Sequence, residues 1–150
     1  MANSYSQIYL HYVFIVGDRH DALTPQVTEL LFAHLHALAV EQKCRILALN
    51  GGPDHLHLLA SMHPNVSPAE FAQTLKGNSS HYLNQARAVP YKFRWQAGYG
   101  AFSVSHSQLA KVKDYIANQQ THHAIITTRD EFISLLKKHD IAYQDEYLPE

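Results

Sequence analysis

Two histidines one residue apart, His55-Leu56-His57, are the sharpest chemical feature of the chain. On a strand, residues two apart share a face, so both imidazoles point the same way while Leu56 turns into a core with Leu58 and Ala60. Two neutral imidazoles side by side can chelate one divalent cation, best with a third oxygen or nitrogen ligand. Taken alone, His-x-His more often marks two surface histidines. A second feature is Tyr115 and Gln119, four apart on a predicted helix and so one turn apart on one face. A phenol is a nucleophile once a metal or a base offsets its pKa of about 10, and an amide oxygen is a hard metal ligand. The plainer reading is a tyrosine buried on an amphipathic helix beside Val112 and Ile116. Asp54 either orients an imidazole as an outer partner or closes the turn after Pro53. Leu59 stands where a histidine-triad hydrolase would need its third alternating histidine. The His spacing does not fit the helical zinc-protease motif, and no Gly-rich phosphate loop is present.

These side chains need elements to hold them. Tyr5 to Val16 alternate, with Ile8, Leu10, Tyr12, Phe14 and Val16 on a core-facing side and Gln7, Tyr9, His11, Val13 and Ile15 on the other, which predicts a first strand. His11 would then share a face with the His pair. Thr24-Pro25 reads as an N-cap with proline at the first helical position, opening a helix to about Gln42. Arg45 to Leu49 and His55 to Met62 form a predicted hairpin about Asn50-Gly51-Gly52-Pro53. Ser67-Pro68-Ala69-Glu70 is a capping box for a helix to about Gln85. Phe93 to Val104 reads as extended. Ser105 with Gln108 offers another capping box, for a helix through Leu109, Val112, Tyr115, Ile116 and Gln119. His122-His123 are expected in a solvated loop, and a last helix covers Asp130 to His139. The order β-α-β-β-α-β-α predicts an α+β fold of ferredoxin-like or RRM-like plan. Its antiparallel sheet carries helices on one face and leaves the other open, with a C-terminal helix bearing the tyrosine.

A chain of 150 residues predicts a single domain. Hydrophobic residues at 46% and charged residues at 17% exclude a disordered or membrane-embedded chain. Met1 to Gln7 lacks a signal-peptide pattern, and no apolar run is long enough to span a bilayer. Cys44 stands alone, which excludes a disulfide framework and a multi-cysteine metal site, so a reducing cytoplasm is expected. The net charge of −1 argues against a strongly basic nucleic-acid binder, but it is an average. From Phe71 to Lys113 there is no Asp or Glu, and Lys76, Arg87, Lys92, Arg94, Lys111 and Lys113 give +6, leaving −7 for the rest. That asymmetry is either a solvated face or an electrostatic footprint for phosphates.

The segment from Asn50 to Leu59 resembles the HUH signature of the single-tyrosine transposases, a family that includes the REP-associated tyrosine transposases. Tyr115-Ile116-Ala117-Asn118-Gln119 is similar to that family's tyrosine helix, and Tyr9 to Phe14 to its first strand. Leu75 to Ser80 and Trp95 to Ser103 also match, so the resemblance runs in order over about residues 5–123, with a C-terminal helix and tail over 124–150. It implies a metal-dependent strand transferase and endonuclease acting on single-stranded DNA with a hairpin. His55, His57 and Gln119 would hold Mg²⁺ or Mn²⁺, and Tyr115 would form a 5′-phosphotyrosine. It further implies a homodimer, with Tyr115 docked in cis or in trans, and a cytoplasmic, nucleoid-associated bacterial protein. Lys76, Lys92, Arg94, Lys111 and Lys113 are the expected DNA contacts. Trp95, Tyr99 and Phe102 are either base-stacking platforms or apolar anchors. Gly17-Asp18 stands where related sequences often carry a basic residue. A non-catalytic nucleic-acid-binding module, or a phosphodiesterase that uses water in place of Tyr115, remains open as an alternative.

Overall fold

In the computed structural model, which describes residues 4–18 and 21–149, four strands form one sheet. They are β1 (Ile8–Ile15), β2 (Arg45–Gly51), β3 (His55–Met62) and β4 (Gly100–Val104), in the order β2-β3-β1-β4. Every neighbouring pair is antiparallel. The fold is α+β with the ferredoxin-like strand order.

Helices α1 (Pro25–Glu41) and α2 (Pro68–Gln85) follow β1 and β3 and cover one sheet face. Thr24 and Ser67 cap them as the sequence predicts. Thr24 Oγ1 accepts from the Val27 amide at 3.3 Å and Ser67 Oγ from the Glu70 amide at 3.0 Å. The even-numbered residues of the two central strands, Tyr12, Phe14, Leu56, Leu58 and Ala60, pack with Leu31, Leu35, Phe71 and Leu75 of those helices in the main core. The odd-numbered residues therefore face the opposite side, where the register places His57 across from Val13 and His55 across from Ile15. The β2–β3 hairpin depends on Gly51, where a Cβ would sit 2.1 Å from the His55 carbonyl oxygen.

The second face is not left open. After a 3-10 turn at His106–Gln108 come α3 (Leu109–Ala117), α4 (Gln119–Ile125) and α5 (Thr128–Lys138). Leu135 and Leu136 of α5, with Leu148 of the tail, bury Val13 and Phe102 in a second core cluster. Ser105 does not form the predicted capping box: its hydroxyl meets Ser107 Oγ at 3.2 Å, and the turn closes through the backbone, Gln108 N to Ser105 O at 2.9 Å. The predicted long tyrosine helix is broken after Ala117. His122 and His123 fall in α4 rather than in a loop, and their side chains lie outside the described residues.

Residues 93–99 bend at Ala97 and Gly98, where Gly98 has a φ of 82°, and meet the sheet through a bridge between Trp95 and Val16. Trp95 and Phe93 are buried in the main core, and Trp95 Nε1 donates to Ser79 Oγ at 3.0 Å. Trp95 and Phe102, both buried, are thus apolar anchors rather than platforms, whereas Tyr99 is 40% exposed. Among the described residues no helix is long and apolar enough to cross a membrane.

Candidate active site

His55 and His57 lie on β3, on the face opposite α1 and α2, and both are fully buried. Strand alternation aims them the same way. What they face comes from three other segments. His11 of β1 lies beside His57, with its Nε2 2.7 Å from His57 Nδ1. Gln119, at the start of α4, places Oε1 2.9 Å from His55 Nε2. Glu131, in the first turn of α5, places Oε1 2.9 Å from His57 Nε2 and 3.3 Å from His55 Nε2. Its other oxygen, Oε2, accepts the Tyr115 hydroxyl and the Gln119 Nε2–H, the latter at 3.0 Å.

Glu131 is the residue that the sequence reading missed. Its signal is a charged residue on the buried stripe of the last helix: Thr128, Glu131, Leu135 and Leu136 share the core-facing side. A carboxylate on such a face must be paired, because burying it alone costs several kcal/mol.

The outer contacts hold this arrangement. Asp54 Oδ1 lies 2.8 Å from His55 Nδ1, and Thr128 Oγ1 donates to the same carboxylate oxygen at 2.8 Å. The break between α3 and α4 is held from β2. Asn50 Nδ2 donates to the carbonyl oxygens of Ile116 at 3.0 Å and Ala117 at 3.2 Å, and Gln120 Nε2 donates to Asn50 Oδ1 at 2.9 Å. These carbonyls are ones that a helix end leaves without partners. Tyr115 and Gln119 are therefore not stacked one turn apart on one helix. The break delivers each to the cluster separately.

The electrostatics follow from burial and pairing. Burial would lower the pKa of His55, but hydrogen bonds to Asp54, Glu131 and Gln119 outweigh it and raise it to about 9. Burial, reinforced by His57, lowers His11 to about 3, so His11 is neutral at pH 7. Its Nε2–H can donate to His57 Nδ1, which leaves the His57 Nε2–H for Glu131. Burial opposes ionisation of Glu131, but His55 and His57 hold it well below the usual carboxylate range. Burial and the Glu131 charge push the Tyr115 phenol above its ordinary value.

The ligand atoms offered by His55, His57 and Glu131 all lie within 4.8 Å of one another. With Gln119 Oε1 they make two nitrogen and two oxygen donors, a set that suits a divalent cation of borderline or hard character.

The five predicted DNA contacts divide. Lys76 Nζ donates to the carbonyl oxygens of Gln96, at 2.9 Å, and Gly98, so it pins the 93–99 segment. Arg94 Nη2 meets Asp18 Oδ1 at 2.7 Å. Lys92, Lys111 and Lys113 are exposed.

Comparison with known proteins adds a second line of observation. The sequence model of the IS200-like transposase family matches residues 4–119. The ISDra2 transposase TnpA of Deinococcus radiodurans is 27% identical over 118 residues, covering 75% of this chain and 84% of that protein. The transposase of insertion sequence element IS200 from Salmonella typhimurium is 32% identical over 114 residues, covering 73% of this chain and 74% of that protein. A crystal structure of a Deinococcus radiodurans protein described as a transposase superposes with a TM-score of 0.64 at 26% identity, over 79% of this chain and 95% of that one. A REP-associated tyrosine transposase, solved bound to a REP hairpin, shares the fold with a TM-score of 0.63 at 14% identity, over 84% of this chain and 74% of that one.

Proposed function

The chain belongs to the IS200-like transposase family, and from that premise we propose that it cleaves and rejoins single-stranded DNA, with Tyr115 as the nucleophile. The observation that carries this reading is the Tyr115 hydroxyl bonded to Glu131, the same buried carboxylate that lies against His55 and His57. A nucleophile and a metal-ligand cluster of one chain thus share a single carboxylate. The arrangement we propose is accordingly one in cis, and a dimer, if formed, would not be needed to supply the tyrosine.

His55, His57, Gln119 and Glu131 would hold the ion, Mg²⁺ or Mn²⁺. Bound there, a divalent cation would neutralise charge on the scissile phosphate and stabilise the transition state. Asp54 and Thr128 fix the His55 ring through its Nδ1 side. Glu131 Oε2 directs the Tyr115 hydroxyl toward the cluster. Attack by Tyr115 Oη on phosphorus forms the tyrosyl–phosphate bond and breaks the bond to the 3′ oxygen, the proton lost by the phenol being balanced by the one that the leaving oxygen takes up. The products are a 5′-phosphotyrosine and a free 3′-OH. The covalent link conserves the phosphodiester bond energy, so a 3′-OH can reverse the step and join new ends without ATP. The hairpin bound by the REP-associated relative makes a hairpin-bearing single strand the substrate class to test.

The test is a labelled single-stranded hairpin oligonucleotide from the DNA flanking the gene, incubated with Mg²⁺ or Mn²⁺ and run on denaturing gels. A covalent adduct that disappears in Tyr115→Phe and in His57→Ala supports the reading. Cleavage that survives Tyr115→Phe points instead to a phosphodiesterase using water. Binding with no cleavage under either metal points to a non-catalytic module.

A further inference from the structure

A cavity of about 400 Å³ opens directly beside Tyr115, between α3, the end of β4 and the C-terminal end of α5. His139 and Phe102 line it, the partly exposed His139 ring stacked on the buried Phe102 ring with centroids 4.6 Å apart. Gln108 presents an amide to it, and Lys111 and Lys138 flank it from two different helices. Both lysines are exposed, and neither is held in an ion pair among the described residues. By contrast, the larger cavity, about 740 Å³, beneath residues 142–149 has no Lys or Arg in its lining.

We propose that the smaller cavity is a nucleotide subsite: it takes the nucleoside adjoining the scissile phosphate, with Lys111 and Lys138 on the flanking phosphates. This rests on the reading of Tyr115 as nucleophile. A phosphate seated at the Tyr115 hydroxyl brings a neighbouring nucleoside within one backbone step, and this cavity is lined by Tyr115 itself. Its makeup matches the ligand. The partly exposed His139 ring, backed by the buried Phe102, offers a surface for a base to stack on, an amide offers a donor and an acceptor to a base edge, and ammonium groups pair with phosphates. Lys138 and His139 lie beyond residue 119, where the family match ends, and outside the basic window from Phe71 to Lys113. The phosphate footprint therefore combines one lysine of that window with one from the acidic remainder of the chain.

The experiment uses the full chain and the same hairpin oligonucleotide, intact or with an abasic site at one or the other position beside the cleaved bond. One abasic probe is expected to react about tenfold more slowly than the intact one. Gln108→Ala is expected to narrow the spread of rates among probes carrying each of the four bases at that position. Lys111→Gln and Lys138→Gln should each raise KM for the intact probe and lower its salt dependence by about one phosphate contact, whereas Lys137→Gln, an exposed neighbour outside the cavity, should leave both unchanged. Equal rates for the intact and both abasic probes, or a Lys111→Gln/Lys138→Gln protein that behaves like Lys137→Gln, would overturn the subsite while leaving the nucleophile standing. No adduct from the wild-type protein with the intact probe overturns the parent reading and the subsite with it.

Discussion

Glu131 and His57 are 74 positions apart in sequence and 2.9 Å apart in space. Glu131 also reaches His55, Gln119 and Tyr115, so one carboxylate joins both imidazoles of the pair to the amide and the phenol. Replacing it with alanine should weaken Mn²⁺ binding by at least about tenfold, read by calorimetric titration. Mn²⁺ is expected to raise the Tm of the wild-type protein, and the substitution should remove that rise.

Asp54 acts one contact further out. Asp54→Ala removes the nearer partner of His55 Nδ1, leaving Thr128 Oγ1 at 3.2 Å, and takes away the carboxylate that accepts the Thr128 hydroxyl. Metal affinity should fall about 10- to 100-fold with both imidazoles still present. An unchanged titration would show that Asp54 only closes the turn.

Asn50→Ala removes the amide that caps the end of α3 and pairs with Gln120. Unfolding in urea should show a loss of about 1–3 kcal/mol. Adduct formation should fall more than stability requires, because the same break positions Tyr115 and Gln119. An adduct rate equal to wild type in the folded variant would separate the break from the chemistry.

Trp95→Ala should cost about 3–5 kcal/mol, measured as a shift of the urea midpoint, since the ring is buried against Phe14 and Phe93. Tyr99→Ala, at an exposed position, should change stability far less. If a folded Trp95→Phe protein loses affinity for single-stranded DNA, the indole contributes to binding after all.

The cations should separate in the same way. Lys92→Gln and Lys113→Gln should each lower the slope of log affinity against log salt by about 0.7 for every phosphate that the lysine neutralises. Lys76→Met should act on stability, because its ammonium group holds the carbonyls of Gln96 and Gly98. If all three variants share one salt dependence with the wild type, the basic window is a solvated face.

Much of the frame is legible locally. The period-two alternation of β1 and β3, the caps at Thr24 and Ser67 and the Gly-rich hairpin depend on neighbours a few residues apart, and such short-range geometry is written in residue order. The single face of His55 and His57 is of that kind, and so is the α+β order itself. The closure of the second sheet face is not legible in this way, because its cover, Leu135, Leu136 and Leu148, is far along the chain and binds through packing rather than pattern.

Which residues meet the histidines was decided only by tertiary structure. The strand order β2-β3-β1-β4 sets His11 beside His57. Asn50, 66 positions before Ile116, takes the carbonyls that end α3, and so turns one predicted helix into two. The docking of α5 turns Glu131 inward, where burial makes pairing obligatory. Spacing along the chain determined that two imidazoles share a face. Hydrogen bonds and packing between distant segments determined that a carboxylate, an amide and a phenol complete the cluster, because those contacts depend on distance in space and leave no period in the sequence.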